Sequence, residues 1–176
     1  MGKIERAPRP EDADAYFPVA KMLVSFRHRD GHGEILSVEG HSGVSRYPFM
    51  LGFCVPRRLR HVYEQILAHR GFAMNVPDAS MAEVVARCEA IQGAPGDKFA
   101  ALGLTPRRGL MTDTVMIDEC PVVMELRLRH YWPVEEYDFI VGELLLAHTD
   151  VDIMERCRTI EWQQTPLLRV VGDGNV

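Results

Sequence analysis

The chain has 176 residues, 47% of them apolar, and a formal net charge of -5. This is enough for one domain with a substantial core and too little for two, and the acidic balance excludes a broad nucleic-acid or anionic-membrane surface. The stretch through Phe17 is charged and Pro-rich with no apolar signal-peptide core, and the most apolar window, 139–147, is too short to span a bilayer and carries Glu143, so the expectation is a cytoplasmic protein.

Residues 1–20 read as an arm in which Pro8, Pro10 and Pro18 discourage regular structure, and 21–176 as a single domain. "KMLVSFRH" (21–28) alternates Met22, Val24 and Phe26 with Lys21, Ser25 and Arg27, the pattern of a half-buried strand. Asp30-Gly31 then signals a hairpin turn, and "EILSVE" is the returning strand. "YPFMLGFCV" (47–55) reads as a strand covered on both faces. In the helix that follows, Leu59, Val62, Tyr63, Ile66 and Leu67 share one face. Arg57, Arg58, Arg60 and His61 crowd its start, where the helix dipole is already positive. Such cations call for an anion, either a ligand or acidic neighbours.

"FAMNV" (72–76) is a short strand. A helix over 78–91 is capped by Asp78 or Ser80, and another over 96–104 starts at Asp97 and stops at Gly103. "PVVMELRLRHYW" (121–132) and "YDFIVGELLLAHTD" (137–150) pair across "PVEE", with Gly142 marking a bulge or a close backbone approach. A last strand is expected in 165–171. Strands, then helices inserted together, then strands again describe a mainly β protein: a closed barrel with an α insertion rather than a doubly wound sheet. The four cysteines, Cys54, Cys88, Cys120 and Cys157, form no Cys-x-x-Cys pair and read as free thiols. His28 and His32 flank the first turn and read as a solvated hairpin tip, so no metal is expected.

Five pieces carry a resemblance: "VSRYPFMLGFCV", "RHVYEQILAHRGFAMNV", "CEAIQGAPGDKFAALGLTP", "DECPVVMELRLRH" and "FIVGELLLAHTD". Their order resembles the flavin-reductase-like proteins with an FMN-binding split barrel, the flavoredoxin-type branch included. The resemblance implies a six-stranded antiparallel Greek-key barrel, a homodimer, and FMN near the dimer interface. It further implies that Arg57, Arg58, Arg60 and His61 hold the flavin phosphate, with Gly40, His41, Ser42 and Ser45 along the ribityl chain and ring. Asn75, Lys98 and Phe99 match family positions near the cofactor; taken singly they read as a turn residue, a surface lysine and a core phenylalanine.

Three features depart from the family pattern. Glu39 stands where a small or hydroxylated residue is usual, His61 replaces a Ser or Thr, and the usual double proline is reduced to Tyr47-Pro48. No hydrolytic constellation and no Rossmann fingerprint stands out, which suits a protein whose flavin carries the chemistry. The expected function is an oxidoreductase in which NADH or NADPH reduces FMN, with a partner oxygenase or another acceptor taking the reduced flavin. Two alternatives remain open. One is an FMN enzyme acting directly on a small organic substrate, with Glu39, His41, His61 and His130 as candidate proton donors. The other is a non-catalytic flavin-binding or ligand-binding barrel. The last stretch, from Met154, resembles the family least, and Trp162 within it is a candidate cover for a partner subunit's site.

Overall fold

A computed structural model describes residues 21–151; the N-terminal arm, the strand expected at 165–171 and Trp162 lie outside the described residues. Strands β1 (Met22–Arg27) and β2 (Gly33–Val38) form a hairpin, followed by β3 (Ser42–Arg46) and β4 (Phe49–Pro56). A 3-10 turn, Arg57–Leu59, leads into α1 (Arg60–His69), then β5 (Gly71–Val76), α2 (Ala82–Ala90) and α3 (Lys98–Leu102). The short β6 (Pro106–Arg108) and β7 (Val115–Ile117) precede the long hairpin of β8 (Val122–Val134) and β9 (Tyr137–Thr149). Among the described residues, no helix is long and apolar enough to cross a membrane.

The capping signals act locally. The Asp97 carboxylate accepts the Ala100 N–H at 3.2 Å, and Gly103 closes α3 with φ +70°. Asp78 accepts the N–H of Ser80 at 2.9 Å and opens the 3-10 turn ahead of α2. Helix α1 ends on Arg70 at φ 57°, an uncommon conformation for a side-chain-bearing residue. The Leu128 N–H donates to the Arg70 carbonyl at 2.8 Å, and the Arg70 guanidinium donates to the Leu128 carbonyl at 3.3 Å, which pins that turn to β8.

Seven strands make one antiparallel sheet in the order β2-β1-β5-β8-β9-β4-β3, with β6 and β7 in a separate ladder. The expected closed six-stranded barrel is therefore corrected in both count and closure. Ser42–Arg46 adds an edge strand, and edges β2 and β3 do not pair although only Glu39–His41 joins them. The sheet nevertheless curls. Leu36 and Val38 of β2 meet Phe53 and Val55 of β4 in one core, plugged at one end by Leu59, Tyr63 and Ile66. Each large side chain buried there contributes roughly 1.5–3 kcal/mol relative to exposure.

A second core lies on the outer face, where Leu23, Ile35 and Ala73 are covered by Val85, Cys88, Phe99, Leu102, Met116 and Ile117. This corrects the half-buried reading of β1: Met22 through Phe26 are all buried, because the α2–β7 segment returns over the face that Ser25 occupies. Conversely, the segment 47–55 is not covered on both faces, since Tyr47 is 94% exposed and Phe49 is also open. Gly142 combines both anticipated roles. A Cβ there would stand 2.5 Å from the Phe72 ring, and the β8 register slips between Leu128 and His130 opposite it.

Candidate functional site

Two cavities lie along β2, walled by the start of α1 and by the chain after α2. The first, about 410 Å³, is lined by Ser37–Gly40, Cys54, Pro56, Arg58, Glu89, Gln92 and, from the β8–β9 hairpin, Val134 and Tyr137. The second, about 400 Å³, is lined by His28, Asp30, His32, Glu34, His61 and the loop Gly93–Gly96. The loop that lines the second cavity packs closely on the helix start: a Cβ on Gly93 would stand 2.9 Å from Leu59 and 4.0 Å from His61.

Charge in the first cavity is already balanced in part. Lys21 Nζ lies 3.3 Å from Glu39 and 2.5 Å from Glu89. Burial alone would lower the lysine pKa, but hydrogen bonds and charge from Glu89 and Glu39 raise it above 10.5, so both carboxylates face a firm cation. Burial also raises the Cys54 thiol, which keeps it protonated and unreactive at neutral pH. Gly40 takes φ +63°, and a Cβ there would stand 3.7 Å from the Cys54 Cβ, so this backbone passes close over β4.

The profile of the flavin reductase like domain family matches residues 15–167. The chain belongs to this family. Among solved structures it is similar to flavoredoxin of Desulfovibrio vulgaris (Miyazaki F) at 25% identity and TM-score 0.70, over 77% of this chain and 72% of that one. It also shares its fold with flavoredoxin from Methanosarcina acetivorans, at 22% identity and TM-score 0.71, over 86% and 76% of the two chains. Component B of nitrilotriacetate monooxygenase from Bacillus cereus shares the fold too, at 14% identity and TM-score 0.73, over 86% and 84%. No curated protein matches.

In this flavin reductase like domain the four cations at the helix start part company. Arg57 Nε lies 3.3 Å from the buried Asp138 carboxylate, and Arg57 also donates to the Glu135 carbonyl. Arg60 Nε lies 3.4 Å from the Glu64 carboxylate, one turn along α1. Arg58 has no ion-pair or hydrogen-bond partner among the described residues and lines the first cavity, while His61 lines the second. The two readings of the cation cluster therefore divide within one turn: Arg57 and Arg60 pair with acidic neighbours, and Arg58 and His61 face open space.

The other expected site residues are spread more widely. Gly40 lines the first cavity and His41 adjoins it; Ser42 and Ser45 lie on β3, opposite Gly52 and Met50. His130 is exposed on β8 and lines neither cavity. Asn75 is neither a turn residue nor at the cavities. It is fully buried within β5, donating to the Leu23 carbonyl at 3.0 Å and Ser25 Oγ at 2.8 Å and accepting the Ile117 N–H at 3.0 Å. Phe99 belongs to the outer core, where a Cβ on Gly33 would stand 2.3 Å from its ring.

Lys98 is likewise buried, neither a surface lysine nor one in the first cavity. Its ammonium donates to the Ala94 carbonyl and stands 3.7 Å from Glu34. Burial holds the Glu34 pKa above 4.5, and Lys98 offsets this only partly. This pair escaped the sequence reading, as did Glu89, Gln92 and Tyr137; partners so far apart in sequence leave no local signal.

Proposed function

We propose that this protein is an FMN-binding oxidoreductase in which NADH or NADPH reduces the flavin, and that the groove past Gly40, Cys54 and Arg58 holds the cofactor. The observation that carries the reading is Arg58, a guanidinium with no ion-pair or hydrogen-bond partner among the described residues, lining a cavity of about 410 Å³ in a chain of this family. That volume is within the range of small-molecule sites, and an arginine at a helical start suits a phosphate. When bound, FMN supplies the two-electron chemistry.

The chain's own residues do the positioning. In this reading Arg58 engages the phosphate, and the rest of the ligand runs past the backbone at Gly40. Lys21 holds Glu39 and Glu89 paired, so that neither carboxylate stands as a bare charge against an anionic ligand. Val134 and Tyr137 cover the apolar side. A homodimer belongs to this reading. Val44 and Phe49 on the β3–β4 hairpin and Trp132 on β8 are each over 40% exposed, and a second copy would cover them. Reduced flavin then passes to a partner oxygenase or another acceptor.

An anaerobic titration with FMN, followed by NADH and then NADPH, tests the proposal. The expected result is saturable binding and bleaching of the visible flavin band well above the rate of free flavin. Binding without bleaching overturns the reductase reading in favour of direct action on a small substrate or a carrier, and no binding overturns the flavin site itself. Arg58→Ala is expected to weaken FMN by roughly 10- to 100-fold, the loss of one charge-assisted contact worth about 1.5–3 kcal/mol. Riboflavin, which lacks the phosphate, should bind the variant and the wild type alike; an equal loss for both ligands would remove Arg58 from the phosphate.

A further inference from the structure

The hairpin tip between β1 and β2 holds the most concentrated set of metal-ligand atoms among the described residues. His28, Asp30 and His32 offer three such atoms, all within 4.8 Å of one another. His28 Nδ1 lies 2.5 Å and His32 Nδ1 2.7 Å from the same oxygen, Asp30 Oδ1. The two imidazoles stack with centroids 4.6 Å apart and planes within 10°, so the nitrogens on the same edge of both rings converge on one point. We propose that this His-x-Asp-x-His turn binds a divalent transition-metal ion with one open coordination position.

Chemistry and geometry select the ion. Two imidazole nitrogens and one carboxylate oxygen suit zinc, cobalt, nickel or copper; calcium and magnesium want more oxygens, and no thiolate is present for a softer ion. Ligand atoms around a tetrahedral ion with bonds of about 2.0–2.1 Å stand roughly 3.4 Å apart, so a small rotation of Asp30 makes room for one.

The scaffold limits the ordering cost. The turn is closed by the His28 N–H donating to the His32 carbonyl at 2.8 Å and the Gly31 N–H donating to the His28 carbonyl at 3.0 Å, directly beyond the last ladder pair, Arg27 with Gly33. The cluster is also not a bare surface patch. Its three side chains are 31%, 58% and 27% exposed and form one wall of the second cavity, with Glu34, His61 and the loop Gly93–Gly96 completing the lining. Three protein ligands facing a cavity leave the fourth position to water or to an anionic group of a bound molecule, the arrangement of a reactive rather than a purely structural metal centre.

The test uses the full chain stripped with EDTA, titrated with zinc in a calorimeter and with cobalt in a visible spectrometer. The expected result is one ion per chain and a tetrahedral or five-coordinate cobalt band. His28→Ala with His32→Ala should abolish both, Asp30→Ala should weaken binding at least tenfold, and His69→Ala, on the far end of α1, should change neither. Binding that survives the double variant, or a stoichiometry near zero in the wild type, overturns the proposal. Imidazole 15N spectra of the wild type give a second readout that needs no variant. Zinc should move the Nδ1 signals of His28 and His32 while the other histidines stay in place, and a shift confined to other histidines overturns the site.

Discussion

Glu125→Ala is expected to lower the unfolding free energy by about 3 kcal/mol or more at pH 7, through backbone amides that lose their acceptor. Glu125 is fully buried in β8, and its carboxylate organises the 109–113 loop. Oε1 accepts the Leu110 N–H at 3.0 Å, and Oε2 accepts those of Met111 at 2.9 Å and Thr112 at 3.1 Å. On its other side, Arg107 donates to His148 Nδ1 at 2.8 Å, which leaves His148 Nε2–H to donate to Oε1 at 2.7 Å. Alanine removes all of these acceptors at once. Glu125→Gln keeps one carbonyl oxygen and should lose about half as much. Urea unfolding of the three proteins measures the differences, and a loss below about 1 kcal/mol for alanine would show that water replaces the carboxylate at little cost.

The same carboxylate sets an acid limb. Burial pushes its pKa up, but the amides of Leu110, Met111 and Thr112 and the His148 ring more than reverse this, so the folded value lies below the ordinary 4.5. Between the folded and unfolded values the unfolded chain binds more protons, so stability rises with pH across that window. The contribution is present above about 4.5 and is lost as pH falls through the folded value. Glu125→Gln should therefore flatten the acid side of the stability profile and leave the neutral plateau lower but level.

The readable parts of this protein were those whose causes are local. Asp97 and Gly103 bracket a helix within a few residues of each other, and Asp30-Gly31 closes its own turn. The edge strand Ser42–Arg46 was unreadable because "SGVSR" is largely exposed and carries no apolar alternation. Its conformation comes from pairing with β4. The resemblance leads one to expect Asn75 and Lys98 near the cofactor, yet their surroundings arrive from β1, β7 and Glu34, which no window of sequence contains. For the cations after Pro56, sequence showed that an anion was wanted but not which residue each would meet, because Asp138 stands 81 residues from Arg57.

That distant contact gives the second large expectation. Asp138→Ala should destabilise the protein by about 3 kcal/mol and also weaken FMN, although Asp138 lines neither cavity. Asp138 is fully buried; it accepts the Tyr63 hydroxyl on one oxygen and Arg57 Nε on the other. Arg57 is 45% exposed and can rehydrate once its partner is gone, so the ion pair itself contributes little of the loss. The Tyr63 hydroxyl has no such escape, because its side chain is sealed in the inner core.

Asp138 therefore fixes both the α1 face, through Tyr63, and the 3-10 turn, through Arg57, and Arg58 sits between those anchors. Losing them should blur the direction of Arg58 and weaken FMN several-fold, less than Arg58→Ala does. Tyr63→Phe separates the two effects. It removes the core hydroxyl and its hydrogen bond to Asp138 but leaves Arg57 held, so it should lower stability while sparing FMN affinity. The opposite ordering, with FMN affinity falling in Tyr63→Phe and unchanged in Asp138→Ala, would mean that α1 rather than the Arg57 anchor aims the turn at the groove.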